Sequence, residues 1–220
     1  MVQTKVKICC ISSITEANLA ISYGASAIGL VARMPSGPGP IKDELIKQIA
    51  ITIPPPIATF LLTCETSAEQ IINHHKRTFT NTIQLVDELP EKDYAIIKEA
   101  IPAIKLVQVI HVIDEGSIEE AINISKHVDA ILLDSGNPKL AIKELGGTGR
   151  VHDWKLSRKI KESIKIPLFL AGGLNSENVR QAIDEVAPYG VDVCSGVRTN
   201  GSLDKSKLKA FFESILNKNP

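Results

Sequence analysis

Residues 166–173 read IPLFLAGG, a short apolar run that stops on two glycines. A strand ending this way leaves backbone N–H groups open and lets an anion come close, because no Cβ stands in the way. Two other runs lead to similar turns. AILLD at 130–134 is followed by GGTG at 146–149, and VDVC at 191–194 runs into Ser195-Gly196-Val197. Three glycine-rich turns, each after or just beyond a β-like run, suggest strands whose C-terminal ends converge on one phosphate. A (β/α)8 barrel holds a phosphorylated ligand in this way beside its seventh and eighth strands.

Working outward, the same alternation fills the chain. Eight β-like runs fall at 5–10, 27–32, 57–62, 82–86, 104–110, 129–134, 166–171 and 191–195. Between and after them, helical patterns fall at 15–23, 42–50, 67–77, 91–100, 117–126, 154–163, 176–187 and 204–216. Helix-start signals appear at Thr15 with Glu16, at Ser67, and at Asn175-Ser176-Glu177. Eight βα units predict an α/β fold, a (β/α)8 TIM barrel of the ribulose-phosphate-binding type. A doubly wound sheet competes, but its glycine turn comes early in the chain, whereas these come late. Residues 34–40, MPSGPGP, form a stiff loop after the second strand, on the face where barrels keep their active sites.

The 220 residues suit one domain spanning 1–220. Lys plus Arg and Asp plus Glu are equal at 25 each, which argues against a general nucleic-acid binder. No apolar run reaches the ~18 residues of a membrane span, and the N-terminus does not read as a signal peptide. The four cysteines, Cys9, Cys10, Cys64 and Cys194, fit neither a disulfide framework nor a CxxC metal site. The expectation is a cytoplasmic protein with reduced thiols, acting on a small phosphorylated sugar. It has no nucleic-acid or membrane partner and is a monomer or a homodimer.

Catalytic groups in such barrels stand at the C-terminal strand ends. Those ends carry Cys9 and Cys10, Arg33, Cys64, Asp87, His111, Asp134, Gly172 and Gly173, and Ser195 with Arg198. A thiol and a carboxyl facing each other across the mouth make a base and an acid, if their surroundings bring both pKa values toward neutrality. A cysteine in a barrel strand is otherwise a small buried hydrophobe.

Several of these stretches resemble phosphoribosylanthranilate isomerases, a barrel family of tryptophan biosynthesis. Lys7-Ile8-Cys9 resembles the family's opening KICG, and Gln84-Leu85 its QLHG. Leu132-Leu133-Asp134-Ser135, Gly146-Gly147-Thr148-Gly149 with Asp153-Trp154, Ala171-Gly172-Gly173-Leu174-Asn175 and Val191 to Val197 follow in the family's order. The resemblance implies an Amadori rearrangement of an aldosylamine to an aminoketose, with Asp134 as acid and Cys9 as base. It implies no metal and no organic cofactor. Backbone groups of Gly147, Thr148, Gly149, Gly172, Gly173, Ser195 and Gly196 would hold the phosphate. Lys7, Gln84, Asp87, His111 and Arg198 would meet the rest of the substrate.

The chain also departs from the family. Cys10 stands where KICG has glycine, and Val86-Asp87 replace the His-Gly of QLHG. The family's arginine after strand two has no counterpart in residues 36–40, Arg198 replaces the glutamate of SGVE, and Cys194 replaces a serine. The sugar-phosphate half matches while the half facing the aromatic carboxylate is rewritten. Three functions are therefore weighed: the family's isomerase, a phosphosugar isomerase for another amine or ketose, and a non-catalytic phosphometabolite binder. Retention of Cys9 and Asp134 speaks against the last.

Overall fold

The computed structural model describes residues 4–136 and 153–216. Eight parallel strands close into a barrel in sequence order. They are β1 (Lys5–Ile8), β2 (Ala27–Val31), β3 (Ala58–Thr63), β4 (Thr82–Leu85), β5 (Lys105–His111), β6 (Ala130–Asp134), β7 (Leu168–Leu170) and β8 (Gly190–Val193). The ring closes where β1 pairs with β8, with Lys7 opposite Asp192. Among the described residues eight α-helices follow the strands: α1 (Ile14–Ser22), α2 (Asp43–Ala50), α3 (Ala68–Thr78), α4 (Glu91–Ala100), α5 (Gly116–Ile124), α6 (Trp154–Ser163), α7 (Val179–Val186) and α8 (Lys205–Leu216). A small hairpin, β9 (Arg198–Thr199) with β10 (Ser202–Leu203), lies between β8 and α8.

Side chains alternate across each strand, so the core has two compartments. Outward residues such as Ile8, Ile28, Leu61, Ile83, Ile110, Leu133 and Leu170 pack under the helices. The helices answer with matching stripes: Val179, Ala182, Ile183 and Val186 of α7 recur at helical spacing and are all buried. Inward residues, among them Phe60, Val107, Val109, Leu132 and Phe169, fill the barrel. The interior is not wholly apolar, because Lys7, Gln84, His111, Asp134 and Asp192 share the inward parity and are buried.

Two boundaries differ from the sequence reading for physical reasons. β1 stops at Ile8 rather than running to residue 10, because Cys10 turns to φ 61° in the left-handed region. Helix α7 begins at Val179 rather than 176. Asn175 and Asn178 turn their side chains onto the local backbone, with Asn178 Oδ1 accepting from Asn175 N–H at 2.9 Å and Asn175 Oδ1 from Glu177 N–H at 2.8 Å. Side-chain bonds of this kind compete with helix formation. At α1 the cap is Ser13, which accepts from Glu16 N–H, and not Thr15. Ser67 caps α3 as its position suggests.

Candidate active site

Cys9, the first residue past β1, still donates its N–H to Val193 O at 2.9 Å, which keeps its side chain on the inward parity. Gly29 on β2 makes the room: a Cβ there would lie 2.8 Å from Cys9 Sγ and 3.1 Å from Lys7 Nζ. Asp134 ends β6 on the same inward parity and accepts from Ser135 N–H at 2.7 Å. Cys9, Asp134, Gln84, Gly172, Gly173 and Ser195 all line one cavity at the C-terminal mouth.

The electrostatics separate the two groups. Burial pushes the Asp134 carboxyl up to about 6, with the Ser135 N–H and the Lys7 ammonium opposing and the Asp192 charge adding to the rise. The Cys9 thiol moves down instead. A hydrogen bond from the Cys10 thiol outweighs the cost of burial, and the Lys7 ammonium helps. A carboxyl that holds its proton to higher pH than usual, on one cavity with a thiol that releases its proton at lower pH than usual, is an acid–base pair.

Lys7 is fully buried and binds Asp192 at 2.8 Å beneath the cavity, over the face of Phe60. Burial alone would push its ammonium down, but the Asp192 carboxylate overrides that and holds it charged. Lys7 lies beneath the cavity rather than in its lining, and its charge reaches the site through Cys9 and Asp192. Asp192 itself lines the cavity, with Oδ1 unpartnered among the described residues, and sequence reasoning missed it. The signal was there, a lone carboxylate at the centre of an apolar strand. Gln84 also offers a buried Oε1 that is unpartnered among the described residues.

Arg198 is buried rather than a surface charge, and it lies outside the lining of that cavity. Its guanidinium bridges Glu16 at 3.0 and 3.1 Å and donates to Gly201 O, Cys9 O and Cys10 O. It ties the β1–α1 loop to the hairpin after β8, and so sets where Cys9 stands. Burial would raise the Glu16 carboxyl, but Arg198 and the N–H groups of Leu203 and Ser12 bring it below its usual range.

Asp87 and His111 line a neighbouring cavity of about 670 Å³ over β4 and β5, not the one holding Cys9. His111 is in register with Asp134 and, among the described residues, has no hydrogen-bond partner on either ring nitrogen. Burial drives its pKa down to about 4, with Asp87 opposing, so the ring is neutral near pH 7.

Two of the glycine turns meet. Gly172 and Gly173 both take left-handed φ, 88° and 64°. The turn Ser195–Val197 packs so closely on 174–175 that a Cβ on Gly196 would fall 2.0 Å from Leu174 O. Backbone cannot rotate out of the way as a side chain can. Gly196→Ala is expected to destabilise the protein by about 3 kcal/mol, the upper range for overpacking, read as a lower urea midpoint. Gly147, Thr148 and Gly149 lie outside the described residues. Among the described residues no three His, Cys, Asp or Glu side chains could hold a metal ion, and no helix is long and apolar enough to cross a membrane.

A (β/α)8 barrel with a proton-holding carboxyl, a low-pKa thiol and glycine turns around one mouth defines the class of phosphosugar-converting barrel enzymes. Residues 6–214 match the family model described as N-(5'phosphoribosyl)anthranilate (PRA) isomerase, and the chain belongs to that family. The N-(5'-phosphoribosyl)anthranilate isomerase of Methanosarcina acetivorans is 34% identical, over 97% of this chain and 94% of that one. The crystal structure of phosphoribosyl anthranilate isomerase from Thermotoga maritima superposes with a TM-score of 0.83 at 32% identity, covering 97% of this chain and 99% of that one. A further isomerase structure, in complex with reduced 1-(o-carboxyphenylamino)-1-deoxyribulose 5-phosphate, gives 0.80 at 30% identity, over 97% and 99% of the two chains.

Proposed function

We propose that this single barrel isomerises N-(5'-phosphoribosyl)anthranilate to the 1-deoxyribulose 5-phosphate product, in tryptophan biosynthesis in the cytoplasm. The observation that carries the residue assignment is the opposed pair: a carboxyl raised to about 6 and a thiol lowered from its usual value on one cavity.

The chemistry follows from that pair. Asp134 gives its proton to the furanose ring oxygen as the C1–O bond breaks, and the amine nitrogen lone pair closes the Schiff base. Cys9, as thiolate, removes the proton from C2. The electrons left on C2 flow toward the iminium, which is why a moderate base suffices. The enolamine then tautomerises to the ketone. Lys7 keeps negative charge on Cys9 favourable. N–H groups of Gly172, Gly173, Ser195 and Gly196 grip the phosphate, and that remote anchor fixes C1 and C2 between acid and base. Gln84 Oε1 accepts from a sugar hydroxyl.

The anthranilate end points toward β4 and β5. There the neutral His111 ring has a free N–H to give a carboxylate, and Asp87 flanks it. This replaces the arginine missing from residues 36–40.

Turnover of enzymatically generated phosphoribosylanthranilate, followed by loss of its fluorescence, tests the reading. Cys9→Ala is expected to lower kcat by about 10²- to 10⁴-fold, the range for removing a general base. Turnover that survives the substitution removes Cys9 from the mechanism. A folded wild type that binds inorganic phosphate but leaves this substrate unchanged moves the reaction to another ribosylamine.

A further inference from the structure

Two departures from the family pattern, Cys10 for glycine and Cys194 for serine, lie 184 positions apart in sequence and touch in space. Cys194 Sγ donates to Cys10 Sγ at 2.7 Å. That is roughly 0.7 Å beyond the ~2.05 Å bond of a disulfide. Both are free thiols. Cys10 sits just past β1 and Cys194 just past β8, the two strands that close the barrel. Both line the cavity that holds Cys9. Cys194 is half-buried, so a small reagent entering the mouth reaches it. The Arg198 guanidinium lies close enough to feel both sulfurs, and the Lys7 ammonium feels Cys10. The Cys194 and Cys9 sulfurs and burial push the Cys10 thiol up, so the half-buried Cys194 at the mouth is the sulfur that attacks first.

We propose that Cys10 and Cys194 are a thiol–disulfide exchange site, and that closing their bridge turns down the isomerase reaction at Cys9. The second half rests on the reading of Cys9 as base. The reagent is a low-molecular-weight disulfide. Cys194 loses its proton and attacks one sulfur of the reagent, releasing the first small thiol. Cys10 loses its proton and attacks the Cys194 sulfur of the mixed disulfide, releasing the second. Two protein thiols are oxidised, one reagent disulfide is reduced to two thiols, and the electrons balance.

The consequence for Cys9 is direct. Its thiolate is favoured first by the hydrogen bond from the Cys10 thiol. A bridged Cys10 has no S–H left to give. The bridge also pulls on the loop above, because Cys10 Sγ lies 3.5 Å from Pro38 O and Gly39 packs against Cys10 Cβ.

The test incubates the reduced protein with excess glutathione disulfide and reads intact mass, disulfide-linked peptides and isomerase activity relative to the same reduced sample. The expected result is a loss of about 2 Da, two hydrogens per bridge. A Cys10–Cys194 linked peptide accompanies it, and activity falls about tenfold, one unit in a thiol pKa. Dithiothreitol restores both. Cys194→Ser should show neither the mass loss nor the fall. Persistent glutathione adducts without a bridge, a bridge between other cysteines, or equal inhibition of Cys194→Ser each overturn the proposal. So does a bridged protein with undiminished turnover. If the reduced wild type shows no isomerase turnover, the isomerase reading fails, while mass and peptides still decide whether the pair exchanges.

Discussion

Asp134→Asn is expected to lower kcat by about 10³-fold while KM stays within a few-fold, because the amide fits the same space but has no acidic proton to give. The pH profile makes the assignment specific. An acid works only while protonated, so the wild-type rate should fall as pH rises through about 6. Cys9 works only as thiolate, so its limb rises with pH, and its lowered pKa brings the two limbs together. Asn at 134 removes the descending limb and leaves the rising one. Stability should move the other way. Asp134's folded pKa is above its unfolded value, so its contribution is fully present below the unfolded pKa and is lost as pH rises through about 6. At pH 7 the wild type carries a buried carboxylate that the variant lacks. Chemical denaturation at pH 7 should find Asp134→Asn no less stable than wild type. A variant that is inactive because it has unfolded would sink the acid assignment, as would one that keeps its descending limb.

Lys7→Met should produce the largest loss of stability, about 3–5 kcal/mol by urea denaturation. The ammonium is fully buried and binds Asp192 Oδ2, and among the described residues Oδ1 has no partner, so the substitution strands a carboxylate inside the barrel. Replacing both partners, Lys7→Met with Asp192→Leu, should recover most of that loss, because an apolar pair needs no compensation. The double variant then removes both charges from beneath Cys9. Cys9 keeps its bond from Cys10 but loses the ammonium that lowers its pKa together with the Asp192 carboxylate that raises it, and because the ammonium has the larger effect the rising limb should shift to higher pH. A stable double variant with an unmoved limb would mean that the Lys7–Asp192 pair serves folding alone.

Much of the barrel was legible because its signals are local. Apolar runs such as AILLD and LFL, glycine stops and the Ser67 cap each act within a few residues. The placement of Cys9 and Asp134 at strand ends followed from the same reading. Boundaries slipped where a side chain competed with the regular backbone, as at Asn175 and Asn178. The polar interior was not legible. Lys7 and Asp192 read as two unrelated charges until the closure of β1 on β8 set them opposite each other. Arg198 read as a group facing substrate or solvent, because nothing local links it to Glu16, 182 positions earlier.

By itself the sequence determined the alternation of strand and helix, the family, and the strand-end positions of an acid and a thiol. Each follows from periodicity or from a short motif, and short motifs need no distant partner. Only the tertiary structure decided what those groups feel. Burial raises Asp134, a neighbouring thiol lowers Cys9, Glu16 claims Arg198, and two substituted positions become one sulfur pair. Desolvation and charge coupling depend on distance in space, and barrel closure is what brings the first strand and the last within reach of each other.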